Sequence, residues 1–174
     1  MANKTKELIV DCFLSLVDEK PVDKISVTDL VEQCNISRQT FYYHFESIDE
    51  MLRWAFHEET NKICAKDLGS QKWVKACSEY LPFLTKYSSL LKSSATTTLF
   101  AYICNLLAES TYKFSCQYHK KQTKKPIVPD NTKFILKCTS LSFTGLIIEE
   151  FQKENPNYRE LMNRIETVFD IENK

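Results

Sequence analysis

Three observations predict an all-α fold for this chain. Its 174 residues include only two glycines and five prolines, too few turn formers for a protein rich in hairpins. Apolar residues recur at spacings of three and four over most of its length, the repeat of a buried helix face. Serine or aspartate precedes several of these runs, twice with an acid three residues on, the pattern of a capped helix start. The architecture expected is a three-helix N-terminal head of helix-turn-helix spacing, residues 1–47, followed by a helical bundle over residues 48–174, about nine helices in all.

The first helix is expected over Thr5–Val17, where Leu8, Ile9, Cys12, Phe13, Leu16 and Val17 share a face. Pro21 ends it, and Ser26 with Asp29 forms an acidic variant of the capping box for a short second helix, about Val27–Cys34. Asn35 and Ile36 interrupt the pattern and Ser37 caps a third helix, leaving a connection short enough for a helix-turn-helix. Ser47 and Glu50 cap a fourth, longer helix whose inner face is Ile48, Met51, Leu52, Ala55 and Phe56. A break is expected at Gly69, then a fifth helix carrying Trp73, Ala76, Cys77, Tyr80, Leu81 and Leu84, kinked at Pro82. "SSLLKSS" reads as a turn or short helix, and Leu99 to Phe114 mark a long one ended by the polar segment "HKKQTKKPIVPDN". Asp130 is expected to cap a helix reaching about Glu154, and Asn155-Pro156 separates it from a last helix with Tyr158, Leu161, Met162, Ile165, Val168 and Phe169 on one side.

The helix after Asp130 has two apolar stripes. One is Phe134, Cys138, Leu141, Gly145 and Ile148; the other is Leu136, Phe143, Ile147 and Phe151. A helix apolar on two sides needs two covers, so the first stripe is expected to face the bundle and the second a symmetry mate. The expected homodimer interface is therefore Leu136, Phe143, Ile147 and Phe151, with Ile165 and Phe169 of the last helix beside them.

Composition excludes several classes. Seven cysteines, odd in number and without C-x-x-C spacing, and no apolar signal segment point to reduced thiols and a cytoplasmic location. No stretch approaches the roughly 18 apolar residues of a membrane span. Net charge is zero, so any nucleic-acid or membrane affinity must be local. No Gly-rich phosphate loop or nucleophile elbow is present, so no enzyme is expected, nor any cofactor.

The third helix carries the most specific signal, "NISRQTFYYHFES". Phe41 and Phe45, four residues apart, serve as core. Gln39 and Tyr43, flanked by Thr40 and Tyr42, turn to the opposite side, and Arg38 in the first turn swings outward. Such a face suits a helix lying in the DNA major groove, where Arg pairs with guanine, Gln with adenine, and hydroxyls reach phosphates.

The stretch Ile25–Leu52, "ISVTDLVEQCNISRQTFYYHFESIDEML", resembles the DNA-binding head of TetR-family transcriptional regulators, through its Thr40-Phe41-Tyr42-Tyr43-His44-Phe45 core and the Ser-x-x-Thr that opens it. The body, in its Gly145 helix and aromatic last helix, is similar to the dihydroxyacetone-operon activator subgroup. The resemblance implies a homodimer bound to a two-fold, double-stranded DNA operator, with half-sites roughly 34–36 Å apart. It implies a recognition helix at Ser37–His44 and a ligand-binding and dimerisation body that answers a small-molecule effector, more often as repressor than as activator. Carried over position by position, Arg38 and Gln39 read bases, Thr40, Tyr42 and His44 touch phosphate or sugar, Thr28 contacts from the second helix, and Lys24, Ser37 and Tyr43 complete the DNA-facing set. Two departures stand out. Ile48 occupies the position where many family members carry Lys. The head holds five cationic against eight anionic side chains, a net of −3 over residues 1–47, where a phosphate-driven binder would be basic. Both keep open an alternative, the same fold used as a co-activator or protein-interaction module without operator binding.

Trp73, Tyr80, Tyr102 and Asn105 are read either as a ligand pocket or as plain bundle core. Cys116 and His119, at i and i+3, could form half a metal site, but a surface pair near a helix end is the preferred reading, and no metal is expected. The other body cysteines read as small buried hydrophobes, and the Lys120–Lys125 lysines as a solvated loop.

Overall fold

Local chain chemistry sets the helix boundaries. The computed structural model describes residues 2–66 and 73–171, with side chains from residue 3 to 167 apart from 67–72 and position 74. Within them lie α1 (Ala2–Glu19), α2 (Val27–Gln33), α3 (Arg38–His44), α4 (Ile48–Ala65), α5 (Trp73–Cys77), α6 (Leu81–Lys86), α7 (Ser88–Ser94), α8 (Leu99–Thr123), α9 (Asp130–Phe151) and α10 (Tyr158–Ile171). Two 3-10 turns, Val22–Lys24 and Ser78–Tyr80, complete the set, and no strand occurs among the described residues. The fold is all-α, as expected. The break anticipated at Gly69 lies outside the described residues.

The head follows its caps. Ser26 accepts from the Asp29 amide while the Asp29 carboxylate receives the Ser26 amide, a complete capping box. Ser37 accepts from the Thr40 amide and Ser47 from the Glu50 amide. Between α2 and α3 the chain turns without glycine: Asn35 adopts a left-handed φ of 54°, the Ile36 amide donates to the Val31 carbonyl and the Asn35 amide to the Glu32 carbonyl. This is a Schellman closure, and Asn is the non-glycine residue that tolerates it best. It sets the angle at which α3 leaves α2. Ile9, Phe13, Leu30, Phe41, Phe45 and Leu52 are buried together beneath the three helices.

The body departs from expectation in several places. The fifth helix is divided into α5, a 3-10 turn and α6, with Pro82 in the first turn of α6, where its missing N–H has no helical partner to lose. "SSLLKSS" is the helix α7. α8 runs on through His119 to Thr123 and stops at Lys124, which is left-handed at φ 55°, so the polar linker is shorter than expected. α9 is preceded by Pro129, without a side-chain cap, and the Asp130 carboxylate pairs instead with Lys133 at 2.9 Å.

The two stripes of α9 are exchanged relative to expectation. Phe143, Ile147 and Phe151 are buried within the chain and Leu136 is half-buried, whereas Phe134 is 70% exposed, Ile135 61%, Leu141 53% and Leu146 40%. Of the residues expected at the dimer interface, Phe143, Ile147, Phe151 and Ile165 are thus core and Leu136 is half-buried, while the side chain of Phe169 lies outside the described residues. The deciding groups are hydroxyls. Ser140 and Thr144 share the face of Phe143 and Ile147, and on α8 they meet Ser115 and Thr111, with Ser115 Oγ 3.0 Å from Ser140 Oγ and Thr111 Oγ1 3.0 Å from Thr144 Oγ1. All four are at most 4% exposed. Buried hydroxyls need partners, and small side chains let the two long helices approach closely. The face that satisfies both conditions turns inward.

Candidate nucleic-acid interface

The third helix is held from below and open above. Phe41 is 0% exposed and Phe45 2%; their rings lie 6.1 Å apart, and Phe45 continues onto Trp54 of α4 at 5.8 Å. Lys6 of α1 places its ammonium 4.9 Å from the Phe45 ring and 5.3 Å from that of Trp54. This cation–π clamp joins α1, the end of α3 and α4. It went unrecognised in the sequence because no local spacing links residues 6, 45 and 54. On the other side, Arg38 and Gln39 are exposed, Tyr42 is 56% exposed and Tyr43 81%. Two tyrosines left this open have no packing reason to be there.

The sequence-derived set divides by its bonding. Thr28, Ser37, Arg38 and Thr40 gather where α2 meets the start of α3. Arg38 Nη2 donates to Thr28 Oγ1 at 2.6 Å. Ser37 Oγ is the α3 cap, 3.0 Å from the Thr40 amide and 2.9 Å from Thr40 Oγ1, which gives both hydroxyls an internal partner. Tyr42, Tyr43 and His44 follow along the helix, with the His44 ring edge-on to Tyr43 at 5.0 Å. Lys24 is exposed in the 3-10 turn before α2, its ammonium 3.8 Å from Asp23. Ile48 is half-buried against the core and contributes packing in place of a cation.

The head's acidity is partly answered from the body. Lys62 of α4 pairs with Glu7 at 3.0 Å and Lys86 of α6 with Asp11 at 2.9 Å. Asp29 is engaged by Lys20 at 2.7 Å and by Ser26, and these partners hold its carboxyl well below the usual carboxylate range. Both body lysines are shared with Glu59 of α4, 3.5 Å from Lys62 and 3.9 Å from Lys86, so these side chains offset the acids of α1 only in part.

The four residues considered for a ligand pocket are not brought together. The Trp73 indole N–H donates to Ser115 Oγ at 3.1 Å, and the buried Tyr80 hydroxyl donates to the Ser110 carbonyl at 2.9 Å. Tyr102 donates to the Asp49 carbonyl in the first turn of α4 at 2.8 Å, beneath the Arg53 guanidinium, and Asn105 is exposed. None of the four lines either of two clefts among the described residues: one of about 360 Å³ with Leu91, Lys92, Phe100, Ile148 and Phe151 in its wall, and one of about 250 Å³ between α9 and α10. Tyr102 is instead a tie between α8 and the helix that follows α3. Tyr102→Phe is expected to cost about 0.5–1.5 kcal/mol of stability, the net worth of one hydrogen bond, read as a shift in the urea midpoint.

Among the described residues no group of three or more His, Cys, Asp or Glu side chains is placed to hold a metal ion, and no helix is long and apolar enough to cross a membrane.

Residues 10–54 match the family described as bacterial regulatory proteins, tetR family. Over 55 residues the chain is 34% identical to the HTH-type dhaKLM operon transcriptional activator DhaS of Lactococcus lactis subsp. lactis (strain IL1403), a match that spans 32% of this chain and 29% of that protein. Across nearly the whole fold it is similar to a solved structure of the dihydroxyacetone kinase operon activator DhaS, with a TM-score of 0.75 and 19% identity, covering 97% of this chain and 95% of the other. The fold likeness takes in α4–α10 as well as the head. The tetR-family match falls on α1–α4, the segment that contains α3 and its aromatic core, and the likeness to the DhaS structure gives the whole chain the same all-α fold.

Proposed function

We propose that this protein is a sequence-specific transcriptional regulator that binds a two-fold operator as a homodimer, using residues 1–47 as the DNA-binding head and residues 48–174 as the regulatory and dimerising body. The observation that carries this reading is the split of α3: Phe41 and Phe45 hold it from below, while Arg38, Gln39, Tyr42 and Tyr43 are presented to solvent. That combination supplies two side chains able to read base edges and two hydroxyls within reach of a backbone. The similar proteins are named operon activators, which favours activation over the repression commoner in the family. Operator binding, rather than a protein-interaction role, is supported by the exposed pair Arg38 and Gln39.

A second copy is the expected cover for the exposed side of α9, where Phe134, Ile135, Leu141 and Leu146 are open to solvent and Gly145 has open space beside it. We place a small-molecule effector in the cleft lined by Leu91, Lys92 and Phe151, chosen for its link to the head. One of its walls is α7, whose Ser93 accepts the Val22 amide of the head at 3.0 Å, so an occupant could bear on the head.

The test is fluorescence anisotropy of the full chain against the DNA upstream of its own gene and against random duplex, at low and high salt. Arg38→Ala and Gln39→Ala are each expected to cost about 1–3 kcal/mol on the operator and to leave random DNA nearly unaffected. Equal losses on both duplexes would remove the base-reading assignment. A wild type without preference for the upstream DNA would favour the protein-interaction alternative.

A further inference from the structure

We propose that Thr28 is a positioning residue for Arg38: its hydroxyl holds the guanidinium in the orientation that reads a base, so specificity attributed to α3 depends on a side chain of α2. The inference rests on reading α3 as the recognition helix.

Arg38 is the first residue of α3 and is exposed. A long side chain at such a site samples many rotamers, and ordering it opposes binding. Here Nη2 is held 2.6 Å from Thr28 Oγ1. Thr28 makes a firm post. It is half-buried in the first turn of α2, its β-branched χ1 is limited to two rotamers in a helix, and the capping box fixes the turn beneath it. The competing acceptor next to it is disarmed, because the Asp29 carboxylate already receives Lys20 Nζ, the Ser26 hydroxyl and the Ser26 amide. The Schellman turn at Asn35 sets the distance between the two helices. A threonine oxygen that accepts from Arg38 still has its own proton to donate, so the hydroxyl alone does not distinguish a positioning role from a direct phosphate contact. The distinction lies in coupling.

The experiment uses the full chain in two arms. Without DNA, NMR relaxation of the Arg38 guanidinium is compared in wild type, Thr28→Val and Thr28→Ser. The side chain is expected to be ordered in wild type and in the serine variant, which keeps the hydroxyl, and mobile in the valine variant. With DNA, Thr28→Val is expected to weaken binding to the upstream duplex roughly two- to tenfold, the cost of ordering one long side chain, with binding to a random duplex of equal length unchanged. In an Arg38→Ala background it should have no further effect. Equal loss on both duplexes, or the full loss persisting without Arg38, would overturn positioning in favour of a phosphate contact. An Arg38 that is mobile in an operator-binding wild type would overturn the positioning claim alone. A wild type with ordered Arg38 and no operator binding would overturn the recognition reading, and with it the base-reading role.

Discussion

Phe45→Ala is expected to lower the stability of the protein by about 3–5 kcal/mol, the usual cost of removing a buried phenyl ring and leaving a cavity. The ring is 2% exposed and sits where three elements meet. Phe41 lies on one side at 6.1 Å, Trp54 on the other at 5.8 Å, and the Lys6 ammonium covers it at 4.9 Å. Alanine would remove the packing of α3 on α4 and half of the cation–π clamp from α1. Because Phe45 is also the C-cap residue of α3, with its amide bonded to the Phe41 carbonyl, collapse of the site is restricted and the upper part of the range is favoured. Urea unfolding checks this through a lower midpoint at unchanged slope. Loss of DNA binding should track loss of folded protein. A variant that unfolds like wild type yet no longer binds would mean that Phe45 touches DNA and is not scaffold.

Leu141→Glu combined with Leu146→Glu is expected to turn a dimer into a monomer at micromolar concentration. Leu141 is 53% exposed, so an acid there remains solvated in the single chain; Leu146, 40% exposed, also lines the cleft between α9 and α10 beside Leu161 and Glu149, so its change is expected to cost the single chain some stability, which urea unfolding reads separately. At a two-fold interface the same acids would meet their symmetry equivalents and be buried without partners, a cost no rim contact offsets. Operator affinity should fall with it, because binding the second half-site no longer benefits from being tethered to the first, an effect that can reach about 10²–10⁴. The buried stripe could not test this, since charges at Phe143 or Ile147 would unfold the protomer itself. Light scattering decides the matter. A double variant that stays dimeric would place the interface elsewhere, and a monomeric wild type would remove the two-headed mechanism.

The head was legible almost residue by residue. Ser26, Ser37 and Ser47 cap helices within three or four positions of themselves, and Phe41 and Phe45 fall on one side of a single turn. Interactions of such short range are written in the order of residues. The clamp from Lys6 and the pairs of Lys62 and Lys86 with α1 were not legible, because each joins positions tens of residues apart that acquire proximity only on folding.

The body shows the same division more sharply. By itself the sequence determined that the chain is helical, that α9 is apolar on two sides, and that α3 has a core side and a polar side, since all three follow from period and capping. The tertiary structure decided which side of α9 turns inward, because two stripes of similar apolarity offer similar burial and the choice falls to partners on another helix: Thr144 to Thr111 and Ser140 to Ser115, 33 and 25 residues distant. It also decided that Tyr80, Tyr102 and Trp73 would serve as bonded ties and not as the wall of one pocket, for a hydroxyl or indole N–H carries no mark of its acceptor until folding brings the Ser110 carbonyl, the Asp49 carbonyl and Ser115 Oγ within reach.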